Sequence, residues 1–168
     1  MGVTIHYRFI RQEMPEELLK KAEIIAKELN FKILKRSWNK LILHPSEDCE
    51  TIELHWHKYK TIKKREGWDY EKETLKDKEI DDDYWVVSGF TKTQYAGYST
   101  HMKVAEFLRF IARYCTETEV YDEAHYYESQ DIEKLKENLD SSSKMIANLA
   151  GLLKDTFGKE NVVTGDEL

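Results

Sequence analysis

Val3, Ile5, Tyr7 and Phe9 make the chain apolar at every second position, with Thr4, His6 and Arg8 between them. No other feature of the sequence narrows the fold so much. A period of two sends alternate side chains to opposite faces of a strand, one toward a core and one toward water. It demands a sheet, and a second layer to cover the sheet's apolar side. That layer is legible downstream. Pro15 opens a segment with Glu16 and Glu17 in its first turn, where carboxylates complement the helix dipole. Leu18, Ala22, Ile25, Ala26 and Leu29 then recur at helical spacing. Val104, Phe107, Leu108, Ile111, Ala112 and Cys115 repeat the pattern, with Ser99 or Thr100 as the expected cap. A last helical region is expected after Ser129. Ile132, Leu135 and Leu139 begin its stripe, Ile146 to Phe157 complete it, Asp140 to Ser143 divide it and Gly158 ends it.

The remaining strands read as Phe31 to Arg36, Lys40 to His44, Glu50 to His57, Tyr84 to Phe90 and Glu119 to Tyr127. Ile52, Leu54 and Trp56 take one face of the third of these, and Glu53, His55 and His57 the other. Lys58 to Asp83 has no apolar period and carries eight basic and nine acidic side chains. It reads as a charged excursion, either a twisted hairpin or a flap, which Trp68 and Tyr70 would dock in part. The expected architecture is one α+β domain over residues 1–168. It is a two-layer sandwich in which a mixed, mostly antiparallel sheet of about five or six strands carries three helices largely on one face. The opposite face is expected to be uncovered unless a partner or the excursion lies on it.

The net charge of −6 over 168 residues disfavours nonspecific nucleic-acid binding, which needs a basic footprint. No apolar run approaches the roughly 18 residues of a spanning helix, so no membrane partner is expected. Residues 1–11 lack a signal-peptide layout, which places the expected location in the cytoplasm. Of the two cysteines, Cys115 falls on a helical stripe as a small core residue, and Cys49 lies in a polar turn as a partly exposed thiol. A disulfide between them is not expected in a reducing compartment. The sequence holds no Ser-His-Asp motif, nucleophile elbow, Walker loop, dinucleotide fingerprint or EF-hand loop, so it names no cofactor.

Three constellations could carry chemistry. His55 and His57, two apart on one strand, share a face with Glu53, and His6 and Arg8 occupy the equivalent face of the first strand; these imidazoles could hold a divalent metal. The plainer reading of the same residues is a solvated sheet face. Lys92-Thr93-Gln94-Tyr95-Ala96-Gly97, followed by His101, leaves a strand and enters a helix, where free N–H groups suit an anion. An ordinary capped turn would look the same. In Tyr121 to Glu128 neither alternate set is cleanly apolar, so one of Asp122 and Glu123 is expected to point inward. In apolar surroundings it would have a raised pKa and serve as a general acid or base; otherwise it pairs with Lys92 or Arg8.

Gly2-Val3-Thr4-Ile5-His6-Tyr7, the turn from His44-Pro45 to Cys49-Glu50, Lys92 to Ala96, and Asp122-Glu123 through Tyr127-Glu128 to Asp131 resemble the motifs of an uncharacterised family of small prokaryotic proteins. No activity is known for that family, so the resemblance implies none. The residues themselves point to a small-molecule or anion site on the sheet, formed by His6, Lys92, Gln94, Tyr95, His101 and Glu123, with Asp122, His55 and His57 nearby. Were the site catalytic, His6 or Glu123 would move the proton and Lys92 would stabilise charge. The rival expectation is a protein-interaction or homodimerisation module that uses the uncovered sheet face.

Overall fold

The computed structural model of the protein describes residues 3–69 and 71–138. The alternating segment at the start forms β1 (Thr4–Arg11), and the Pro15-led stripe forms α1 (Glu16–Glu28). α1 closes on Asn30, whose φ of 60° lets the Phe31 N–H turn back to the Ala26 carbonyl at 2.8 Å. Then come β2 (Lys32–Arg36), β3 (Lys40–His44), β4 (Ile52–His55), β5 (His57–Asp69) and β6 (Thr74–Lys92). The chain continues through α2 (Gly97–Ala112), β7 (Glu117–Asp122), the single turn α3 (Tyr126–Ser129) and α4 (Ile132–Asn138). The fold is α+β and its described strand pairs are all antiparallel. Among the described residues no helix is long and apolar enough to cross a membrane.

The strands form two sheets and not one, in the orders β5-β6-β1-β7 and β2-β3-β4. The division falls at Trp56. The expected strand from Glu50 to His57 breaks there: the Trp56 indole is fully buried, and the residue's backbone N–H leaves the ladder to donate to the Asn39 carbonyl at 2.9 Å. β4 stays with β3, while β5 begins one residue later beside β6. Helix α2 makes a crossover from β6 to β7: both strands pair with β1 from opposite sides and so run parallel to each other. The connection through α1 instead leads from β1 into the second sheet.

The charged excursion is the hairpin β5–β6, and its second strand runs without a break into the segment that pairs with β1. The side chains of Trp68 and Tyr70, and the helix expected from Leu139 onward, lie outside the described residues. Bulges interrupt the hairpin between Tyr59 and Thr61 and between Arg65 and Gly67, the second at a glycine with φ of 120°. Bulges bend a ribbon and add twist. At the hairpin's base Ile10, Ile62 and Tyr84 make a small apolar cluster of their own, with Val86 packed on it.

The main core joins the inner face of β1 to the three-stranded sheet and to α1 and α2. Tyr7 bridges the two sheets. Its Oη donates to the Glu53 carbonyl at 3.1 Å and accepts the Glu53 N–H at 3.2 Å, and burial pushes its pKa up to about 12. The phenol needs Gly89 on the neighbouring strand, where an added Cβ would stand 2.7 Å from Oη. Thr91 Oγ1 donates to the Thr51 carbonyl at 3.1 Å, and the Glu50 N–H donates to the Lys92 carbonyl at 3.1 Å. Cys49, expected to be partly exposed, is buried instead, with Sγ 3.6 Å from the Lys92 carbonyl. The turn around it folds inward to seal the junction of the sheets. Cys115 is half-buried and packs against the core as expected.

Candidate functional site

The register of β1 decides which of the expected residues meet. Thr4 pairs with Lys92 on one side, and its carbonyl accepts the Glu123 N–H at 3.1 Å on the other. His6 lies opposite Phe90 and Tyr121. Directly opposed residues share a face. The outer face therefore carries Thr4, His6 and Arg8 in its middle row, Lys92, Phe90 and Ser88 on one flank, and Glu123, Tyr121 and Glu119 on the other.

On this face His6 Nε2 is 3.2 Å from Glu123 Oε2. The imidazole lies between two rings, with centroids 5.9 Å from Tyr121, nearly parallel, and 6.1 Å from Phe90. Phe90 is 58% exposed and Tyr121 57%. Single water-facing apolar side chains are ordinary, but rings side by side on three adjacent strands make a contiguous patch, and contiguity is what marks a contact site. A groove of about 780 Å³ borders the stripe, lined by His6, Arg8, Glu119 and Tyr121 from the sheet and by Glu66 and Gly67 from the bent hairpin. Lys92 is exposed on the same face, and among the described residues its ammonium has no ion pair.

The other expected site residues lie elsewhere. Asp122 is the inward member of the acidic pair, opposite Ile5 and fully buried, and its partner is neither Lys92 nor Arg8. His101 on α2, also fully buried, meets it, with Nε2 2.9 Å from Oδ2. His101 Nδ1 is 2.6 Å from Thr93 Oγ1, and that hydroxyl lies 3.4 Å from the Val3 carbonyl. Asp122 also accepts the Ala124 N–H at 2.8 Å and the Tyr127 N–H at 2.9 Å. These bonds end β7 at Asp122 and turn the chain into α3, so the strand expected to reach Tyr127 stops five residues early. Burial alone would push the Asp122 pKa up; the bonds and charge of His101, with the two backbone donors, outweigh it and hold the carboxyl below its ordinary value. The expected rise is thus corrected to a fall. Thr93, His101 and Asp122 have the order of a nucleophile-base-acid chain, but all three are fully buried. They tie the turn after β6 and helix α2 to the end of β7, and His101 is not part of the outer-face site.

Gln94 is half-buried and Tyr95 is 77% exposed on the turn before α2, and neither side chain bonds to His6 or Glu123 among the described residues. α2 begins without a side-chain cap, its N-cap being Ala96, so the expected Ser99 or Thr100 cap is absent; Ser99 is buried within the first turn. His55 and His57 lie on strands of different sheets, yet their ring centroids are 4.2 Å apart. Burial lowers the His55 pKa, and the charges of His57, Lys40 and Lys35 lower it further. A neutral imidazole is the form that binds metal. Among the described residues no group of three or more His, Cys, Asp or Glu side chains is arranged to hold a metal ion.

Phe90 and Tyr121 are further site residues, absent from the set expected from the sequence. Their signal was present: each falls on the polar alternate of its strand, Phe90 between Ser88 and Lys92, and Tyr121 between Glu119 and Glu123. No protein-family model, curated protein or solved structure matches this chain. The resemblance noted above rests on its motifs.

Proposed function

We propose that the open part of the outer sheet face binds a small planar molecule or a small anion, with His6 at its centre. One arrangement carries the reading: an imidazole held by a carboxylate between two exposed rings, beside a groove. Exposed rings offer a planar ligand a stacking surface. His6 has a second ring nitrogen with which to donate or accept a hydrogen bond. Lys92 and Arg8 lie on the same face and favour a negative group. The His6–Glu123 pair can also pass a proton to or from a bound ligand, which is the route from binding to catalysis here.

The test is an amide-correlation NMR titration with benzimidazole as the planar probe and inorganic phosphate as the anionic one. Shifts should concentrate at His6, Arg8, Phe90 and Tyr121, and should vanish in His6→Ala and Tyr121→Ala. Shifts scattered elsewhere, or none with either probe, would refute the reading.

The adjacent exposure of Phe90 and Tyr121 favours a second reading, in which two copies pair through this face. Such a contact would bury roughly 1,000 Å² or more in total. Light scattering over a concentration series would then show a dimer that Phe90→Ser disrupts, and a monomer throughout would exclude it.

A further inference from the structure

A second concavity lies where the β2–β3 turn meets the beginning of α1, enclosing about 230 Å³. Its floor is apolar, made by the buried Leu19 and Leu41. Its wall is Trp38, which stays 48% exposed at the tip of the turn. That indole is not placed by the turn alone. It stands edge-on against the buried Trp85, with centroids 5.5 Å apart and planes at 90°. An aromatic ring is thereby propped upright beside the floor.

The rim decides what the pocket would take. Glu23 is nearly buried and contacts Arg36 Nε at 3.0 Å and Lys27 Nζ at 3.2 Å. This single contact through Nε orients the Arg36 guanidinium and leaves its two Nη groups without a partner among the described residues. Lys40, also in the lining, has no ion pair among the described residues. Glu16, the remaining acid of the lining, is within 3.7 Å of Lys20, whose closer contact is Glu17 at 3.2 Å. The three acids Glu16, Glu17 and Glu23 stand against the four bases Lys20, Lys27, Arg36 and Lys40, so the rim keeps one net positive charge, and Lys40 is the base without an ion pair among the described residues.

We propose that this pocket binds a small aromatic monocarboxylate. The carboxylate would accept from the Nη groups of Arg36 and from Lys40, since a guanidinium fork matches a carboxylate in two parallel bonds. The ring would lie between Trp38 and the two leucines. The volume is below the roughly 300–1,000 Å³ of sites for drug-sized ligands, which limits the occupant to about one ring and its acid group. Nothing in this assignment depends on the outer sheet face.

The experiment uses the full chain, with benzoate as the probe and benzyl alcohol as its uncharged counterpart, followed by saturation-transfer NMR and calorimetry. Benzoate should bind, and benzyl alcohol about tenfold more weakly, as expected for loss of a charge-assisted bond. Lys40→Gln and Arg36→Gln should each weaken benzoate and leave benzyl alcohol unchanged, Trp38→Ala should weaken both, and His6→Ala neither. Arg36→Gln also removes a partner of Glu23, so Lys40→Gln is the deciding variant if the first folds poorly. The proposal is overturned by absence of benzoate binding up to about 10 mM, by equal affinity for the alcohol, or by a Lys40→Gln protein that binds benzoate as the parent does.

Discussion

Asp122→Asn is the sharpest probe of the buried chain that joins α2 to β7. The parent carboxylate accepts three hydrogen bonds, from His101, Ala124 and Tyr127, all between 2.8 and 2.9 Å. An asparagine carbonyl can keep the Ala124 N–H. Its NH₂ group then takes the place of Oδ2, where it faces two donors. His101 can answer by changing tautomer, with Nε2 accepting from the amide and Nδ1–H donating to Thr93, whose hydroxyl turns to the Val3 carbonyl. The Tyr127 N–H has no such escape and is left unpaired. Losing the charge-assisted bond costs about 1.5–3 kcal/mol and orphaning a buried donor about 1–3 kcal/mol. With the tautomer change recovering part of this, the net loss is about 3 kcal/mol, which for a chain of this size lowers Tm by about 6–12 °C.

A pH signature accompanies the loss. The folded Asp122 pKa lies below its unfolded value, so its contribution is present above the unfolded pKa and disappears as pH falls through the folded one. Urea denaturation of parent and variant should therefore differ most near neutral pH and converge in acid. A loss under about 1 kcal/mol, smaller than one orphaned donor should cost, or a gap independent of pH, would refute the account of this network.

Four further outcomes are expected. Gly89→Ala should cost about 1–3 kcal/mol by chemical denaturation, as overpacking does, and combining it with Tyr7→Phe should recover only part of the loss, because the phenol oxygen at 2.7 Å is removed while Cζ at 2.9 Å stays. Glu106 on α2 is buried against Arg109, Tyr126 and Gln130, and burial raises its pKa against their opposing pull. Its contribution is fullest below the unfolded pKa and fades as pH rises through the folded one; Glu106→Gln should thus gain on the parent with rising pH in denaturation curves measured at acid and alkaline pH. Glu123→Gln breaks a surface pair and should change stability by less than about 1 kcal/mol, while weakening any probe that binds at His6. Cys49, with its thiol pushed up to about 12 by burial, should resist Ellman's reagent in the folded protein and react on unfolding.

The elements with a clean period were legible in the chain: β1, α1, α2 and the β2–β3 pair. Asp122 and Glu123 show the boundary of that legibility. Alternation alone indicated that one of the two must turn inward. Which one, and toward what, depended on Ile5 in another strand and on His101 in a helix. The place of His101 is not legible for the same reason: nothing within its own helix distinguishes a polar side chain that meets a buried acid from one that meets water. Phe90 and Tyr121 each look like an ordinary strand residue alone. They become a stripe only when β1 sets His6 between them.

Sequence by itself determined where β1, α1, α2 and the β2–β3 pair form and which side of β1 is apolar, because those properties follow from periods repeated within a few residues. Tertiary structure decided that Trp56 divides one expected sheet into two, that the charged segment is a paired and bent hairpin, and that His6 and Glu123 meet 117 positions apart. Those outcomes turn on hydrogen-bond register and on burial between distant segments, which no local pattern of side chains encodes.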